Sequence, residues 1–135
     1  MRIEDVVKNN GVYVSTTVGL SMYPMLRNRR DTIVVRPYTG RLKKYDVPLY
    51  RSNGKYILHR IVKVLPDSYV ICGDNCRNKE YGITDDQIIG VLTEFYRDGR
   101  KINMHGIFYQ TYVRIWTALY PVRRICNIFA CIIPL

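Results

Sequence analysis

Short runs of alternating and β-branched residues, separated by turn signals, fill the chain as far as residue 96. VYVSTTV at 12–18, TIVVRP at 32–37, VPLYR at 47–51, KYILHRIVKV at 55–64, YVIC at 69–72 and IIGVLTEFY at 88–96 each read as strands. Pro37 and Gly40, Pro66-Asp67-Ser68 and Asp98-Gly99 break the runs, and Ser52-Asn53-Gly54 is a hairpin signal. Pro48 cannot donate to a ladder, which predicts an edge or a bulge for its segment. Strict alternation through 55–64 puts Tyr56, Leu58, Arg60 and Val62 on one face and Ile57, His59, Ile61 and Lys63 on the other. IEDVVKN predicts a short amphipathic helix ended by Asn9-Asn10-Gly11. RNRRD at 27–31 reads as a solvated basic turn, RLKKYD at 41–46 as a basic turn, and Asp85-Asp86 as a cap or turn before the last strand. The sum is a mainly β, antiparallel domain of many short strands.

Beyond the last strand the period changes. GIFYQTYVRIWTALYP at 106–121 carries apolar or aromatic groups at 108, 112, 115, 116 and 119, a helical stripe. VRRICNIFACIIPL repeats the habit with Val122, Ile125, Ile128, Phe129 and Ile132. Arg114, Arg123 and Arg124 interrupt both runs and Pro121 separates them, so neither reaches the ~20 apolar residues that a spanning helix needs. The chain thus divides into a β domain over 1–103 and an amphipathic helical tail over 104–135. The tail either packs on the β domain or lies in a membrane interface, and its arginine and aromatic content favours the membrane surface.

At 135 residues the chain can bury a core of its own, and its net charge of +10 suits an anionic partner. No helix-turn-helix, zinc-finger or RNA-binding signature accompanies the charge, so nucleic acid is not the expected partner. Cysteines at 72, 76, 126 and 131 match no common zinc spacing and read as reduced thiols of a cytosolic chain. MRIEDVVKNN is too short and too charged for a signal peptide or anchor. The expectation is a cytoplasmic protein, peripheral at the inner membrane surface. No metal, nucleotide-loop or redox motif is present, and no cofactor is expected.

Candidate chemistry begins at GLSMYPML, residues 19–26. Pro24 disfavours helix and pushes Tyr23 toward extended geometry, so Ser21 falls at a strand end or turn, where a hydroxyl can be held above a sheet. His59 and the acidic Asp74 and Glu80 follow in order. Taken alone, each has a plainer role: loop serine, strand histidine, turn aspartate, solvated glutamate. His105 reads as a surface or packing residue.

Together, SMYPMLRNRRDTIVV at 21–35, YILHRIVKV at 56–64 and YVICGDNC at 69–76 resemble the three ordered boxes of the signal peptidase and LexA-type self-cleaving serine peptidases. Housekeeping bacterial signal peptidases and the repressors carry lysine in the second box. The endoplasmic-reticulum-type and archaeal-type enzymes carry histidine followed by arginine, as in His59-Arg60 here. The resemblance spans roughly residues 12–96. It implies a signal-peptidase/LexA-like antiparallel β domain, with Ser21 as nucleophile and His59 as general base. It further implies an acidic group to orient the imidazole. Glu80 stands at the spacing where the family has an aspartate and is the favoured orienter, with Asp74 supporting the site.

The function so implied is a serine endopeptidase that binds an extended peptide or precursor protein and removes a leader or signal-like segment after a small residue. A non-catalytic module gripping a peptide or a membrane surface is the alternative. A LexA-type regulator, without a DNA-binding segment and with histidine in the lysine position, comes third.

Overall fold

The computed structural model describes residues 2–16, 21–27, 29–76 and 78–122. Positions 17 and 18 of the first strand run, and the second apolar run with Ile125, Ile128, Phe129, Ile132, Cys126 and Cys131, lie outside the described residues.

Helix α1 (Ile3–Asn10) leads into β1 (Tyr13–Thr16), and the Gly11 amide closes the helix onto the Val7 carbonyl at 2.9 Å. Strands β2 (Thr32–Arg36), β3 (Pro48–Ser52) and β4 (Lys55–Leu58) follow, then β5 (Arg60–Val64), β6 (Tyr69–Cys72) and β7 (Glu80–Ile83). A short 3₁₀ turn, Asp85–Gln87, precedes the long β8 (Ile88–Arg97), β9 (Arg100–Ile102) and helix α2 (Ile107–Ala118). The larger sheet is antiparallel in the order β1-β2-β8-β3-β4, with β9 pairing the far end of β8, and β5-β6-β7 form a smaller antiparallel sheet. The fold is therefore mainly β with a helix after the last strand, as the residue pattern predicts.

Alternation on the larger sheet divides the interior. Leu49, Ile33, Val35, Leu92 and Phe95 join Val7, Met22, Met25 and Leu26 in one core. Tyr50, next to Leu49, faces the smaller sheet and packs with Ile61, Tyr69, Ile71 and Ile83. The hairpin signal is used as read: Ser52 pairs with Lys55, and Asn53 and Gly54 take φ of 52° and 76°, the conformation a two-residue turn needs.

Three local readings change. KYILHRIVKV is two strands, not one: the chain leaves the larger sheet after Leu58 and enters the smaller sheet at Arg60. The alternation therefore breaks at His59, and Arg60 and Ile61 are both buried. Of the two alternatives for Pro48, an edge or a bulge, the second holds, because its strand lies between β8 and β4. It is accommodated because it is the first residue of β3, beside a register shift at Leu49/Tyr50.

RNRRD is only partly solvated. Asp31 is fully buried, accepting from the Arg27 amide at 2.9 Å and from Arg27 Nε and Nη2 at 3.0 and 2.7 Å. Finally, α2 turns Tyr109, Tyr112, Val113 and Trp116 toward the body, while Phe108, Ile115 and Leu119 of the expected stripe are exposed. The inward side must satisfy buried polar groups, which the phenols and the indole can do and aliphatic residues cannot.

Candidate active site

Three sequence boxes meet through backbone and charge. The Ser21 carbonyl accepts from the Asn75 amide at 2.8 Å, and the Asp74 amide points at Met22 Sδ at 3.3 Å. The serine turn, in which the Leu26 amide bonds the Met22 carbonyl at 2.9 Å and the Tyr23–Pro24 peptide is cis, is thereby seated on the Gly-Asp-Asn turn. Asp31, Arg27 and Arg97 hold its other end, with Arg97 Nη2 donating to the carbonyls of Pro24 and Met25.

Asp74 is the tie between the second and third boxes. Arg60 meets it in a bidentate pair, Nε to Oδ1 at 2.8 Å and Nη2 to Oδ2 at 3.0 Å, with both side chains buried. Tyr112 donates to Oδ2 at 2.6 Å and Trp116 Nε1 to the Asp74 carbonyl at 2.8 Å, so α2 docks on the same residue. Arg60 also donates to the Tyr45 carbonyl at 3.0 Å and to the Tyr109 hydroxyl at 3.1 Å. An ion pair this deep holds only when its remaining donors and acceptors are satisfied, which the aromatic residues of α2 accomplish. Asp74 thus frames the site and acts on His59 as a through-space charge.

His59 occupies the crossing between the two sheets. Its Nδ1 lies 3.5 Å from the Tyr50 hydroxyl, and that hydroxyl is 2.6 Å from Glu80 Oε1. Glu80 therefore reaches the imidazole through Tyr50, and its second oxygen accepts from Ser52 Oγ at 3.1 Å. Burial, then the hydrogen bond to Glu80, raises the Tyr50 pKa far above that of an ordinary phenol, so the phenol keeps its proton. That single proton is directed to the carboxylate, which leaves the Tyr50 oxygen as an acceptor. The network assigns the proton of neutral His59 to Nδ1 and leaves Nε2 with its lone pair open to the opposite side. Burial lowers the His59 pKa, with the charges of Glu80 and Asp74 opposing it, so the ring is neutral at pH 7.

Ser21 and His59 line one cavity of about 360 Å³, with Ser15 and Thr16 of β1 on one side and Tyr56, Ile57 and Leu58 of β4 on the other. These are the two end strands of the larger sheet, so the groove has an unpaired strand edge on each wall. Its floor is apolar, from Met22, Leu26, Ile33 and Leu49. Among the described residues no direct hydrogen bond joins Ser21 to His59.

Gly73 explains how these groups come so close: a Cβ there would stand 2.6 Å from the Ser21 carbonyl oxygen, 2.6 Å from Cys76 Sγ and 3.0 Å from His59 Cδ2. Tyr50 and Cys76 are the residues that pattern reading passes over, and Arg60 enters it only as the residue that follows His59. Tyr50 looks like any strand tyrosine, and only the pairing of β3 with β4 and the stacking of the two sheets bring it between His59 and Glu80. His105 is exposed and does not line the Ser21–His59 cavity, its amide bonded to Asn103 Oδ1 at 3.0 Å.

No known protein family matches the chain, and no curated protein matches its sequence.

Proposed function

We propose that the chain is a serine endopeptidase of the signal-peptidase-like kind, acting on an extended segment of a peptide or protein precursor. The observation that carries the reading is the groove itself: Ser21 and His59 share a cavity walled by the two end strands of one sheet. An extended peptide can hydrogen-bond to both edges while an apolar side chain enters the floor. Ser21 Oγ attacks the scissile carbonyl; His59 Nε2 takes the hydroxyl proton and returns it to the leaving amine. Tyr50 holds the ring in the Nδ1–H form, and Glu80, through Tyr50, stabilises the imidazolium as it forms.

The test is cleavage of a library of leader-like peptides by the parent, Ser21→Ala and His59→Gln. Loss in both variants with peptide binding retained supports the enzyme. Activity that persists in either sinks the mechanism, and binding without cleavage by the parent leaves a peptide-gripping module.

The second part of the reading is placement at a membrane surface. No helix among the described residues is long and apolar enough to cross a bilayer. Ile107 and Phe108, 76% and 90% exposed, open α2 beside Arg97 and Lys101, with Ile115, Leu119 and Val122 further along. Exposed apolar groups flanked by cations suit the interface of an anionic bilayer. Co-sedimentation with vesicles containing phosphatidylserine, lost in Phe108→Asp and absent with neutral vesicles, tests it; equal binding by the variant removes it.

A further inference from the structure

Cys76 stands against the face of His59 that the resting hydrogen bonds leave open. Its Sγ is 3.9 Å from Nε2 and 3.9 Å from the Ser21 carbonyl oxygen, and Cys76 as a residue is partly exposed while Cys72, at the end of β6, is buried. Cys72 Sγ lies 3.5 Å from the Gly73 carbonyl and 3.6 Å from those of Cys76 and Asn78, so the turn backbone is seated around it. The opposite ring nitrogen is committed to Tyr50, so Nε2 is the acceptor and the Cys76 thiol is the sulfur donor within its reach. A thiol beside the unprotonated nitrogen of an oriented imidazole has the layout of an activated nucleophile. Gly73 is the residue whose missing side chain lets sulfur, imidazole and the Ser21 carbonyl meet.

We infer that Cys76 is a covalent modification site for small disulfides, activated by His59. His59 Nε2 takes the thiol proton, and the sulfur attacks one sulfur of the disulfide. The Cys76 S–S bond forms as the S–S bond of the reagent breaks. The departing thiolate collects the proton from the imidazolium, so Cys76 is oxidised and half of the reagent is reduced to a thiol. The adduct occupies the approach to Nε2, the atom that Ser21 needs. It therefore switches off hydrolysis reversibly, a consequence that rests on the proposed Ser21–His59 chemistry, whereas the modification itself does not.

The experiment is timed reaction with hydroxyethyl disulfide at pH 7, quenched with acid and read by peptide mapping at each cysteine. In the folded parent, Cys76 is expected to react at least about tenfold faster than the same residue in urea-unfolded chain, since an unassisted thiol is only a few per cent thiolate at that pH. The advantage is expected to vanish in folded His59→Gln, and dithiothreitol is expected to remove the adduct. A Cys76 rate no higher in the folded chain than in the unfolded one overturns the proposal, as does an unchanged rate in His59→Gln. Peptide cleavage by the same samples separates the two ideas. A fast adduct on a protein that never hydrolyses leaves the thiol site standing alone; hydrolysis with a slow Cys76 leaves only the peptidase.

Discussion

The Tyr50 hydroxyl faces His59 Nδ1 at 3.5 Å while its own proton is directed to Glu80 at 2.6 Å. The imidazole is thus oriented by a phenol, and the carboxylate acts one group further away. Tyr50→Phe preserves the ring in its core and removes only this link. Peptide cleavage is expected to fall in kcat by roughly tenfold to a hundredfold, part of the ~10²–10⁴ that a positioned base supplies, with KM little changed. Imidazole nitrogen chemical shifts are the independent readout: the parent is expected to hold one tautomer with the proton on Nδ1, and Tyr50→Phe a mixture.

Burial lowers the pKa of His59 below its ordinary 6.5 despite the opposing charges of Glu80 and Asp74. Between the folded value and 6.5 the unfolded chain binds more protons than the folded one, so stability rises with pH in that window and is lost as pH falls through it. Urea titrations from pH 7 downward are expected to show this loss in the parent and a smaller one in His59→Gln. Cleavage, which needs the neutral base, is expected to have its acid limb below 6.5; a limb well above that value would contradict the desolvated environment.

Arg60 and Asp74 form a buried pair whose carboxylate is shared with Tyr112. Asp74→Ala strands a buried guanidinium and removes the acceptor of the Tyr112 hydroxyl, so a loss of about 3–5 kcal/mol is expected. Chemical denaturation measures it. The same substitution is expected to loosen α2, seen as faster amide exchange in residues 107–118.

Gly73→Ala tests the close approach at the site. Its Cβ would meet the Ser21 carbonyl and Cys76 Sγ at 2.6 Å, and only displacement of the serine turn or of the Cys76 segment relieves that. A destabilisation of about 1–3 kcal/mol is expected, the range for overpacking a filled site. Cleavage is expected to fall much further than stability, because the displaced atoms belong to Ser21 and to the neighbour of His59. Wild-type kcat/KM in folded Gly73→Ala would show that the convergence is not needed.

Local pattern carries most of the strands because alternation and turn residues act over a few positions. TIVVR, YVIC and IIGVLTEFY are strands where their pattern puts them, and Asn53-Gly54 turns the hairpin as its backbone freedom dictates. What escapes is set by partners far along the chain. EYGI, with its exposed Tyr81, has no strand pattern of its own and becomes β7 because β6 offers an edge beside it. The break at His59 is invisible in a run that alternates smoothly, because it follows from one segment serving two sheets. The tail's stripe splits for a related reason: Tyr112 and Trp116 turn inward because Asp74 needs hydroxyl and indole partners, while Phe108, Ile115 and Leu119 stay exposed.

The order Ser21, His59, Asp74, Glu80 and the mainly β class belong to the sequence by itself, since residue identity, spacing and hydrophobic period are all local properties. Tertiary structure alone decided that Asp74 is consumed by Arg60, that Tyr50 stands between Glu80 and His59, and that Cys76 sits 3.9 Å from Nε2 of His59. Those pairings depend on distances of a few ångströms between residues many positions apart, and such distances are set only once two sheets and a helix have packed together.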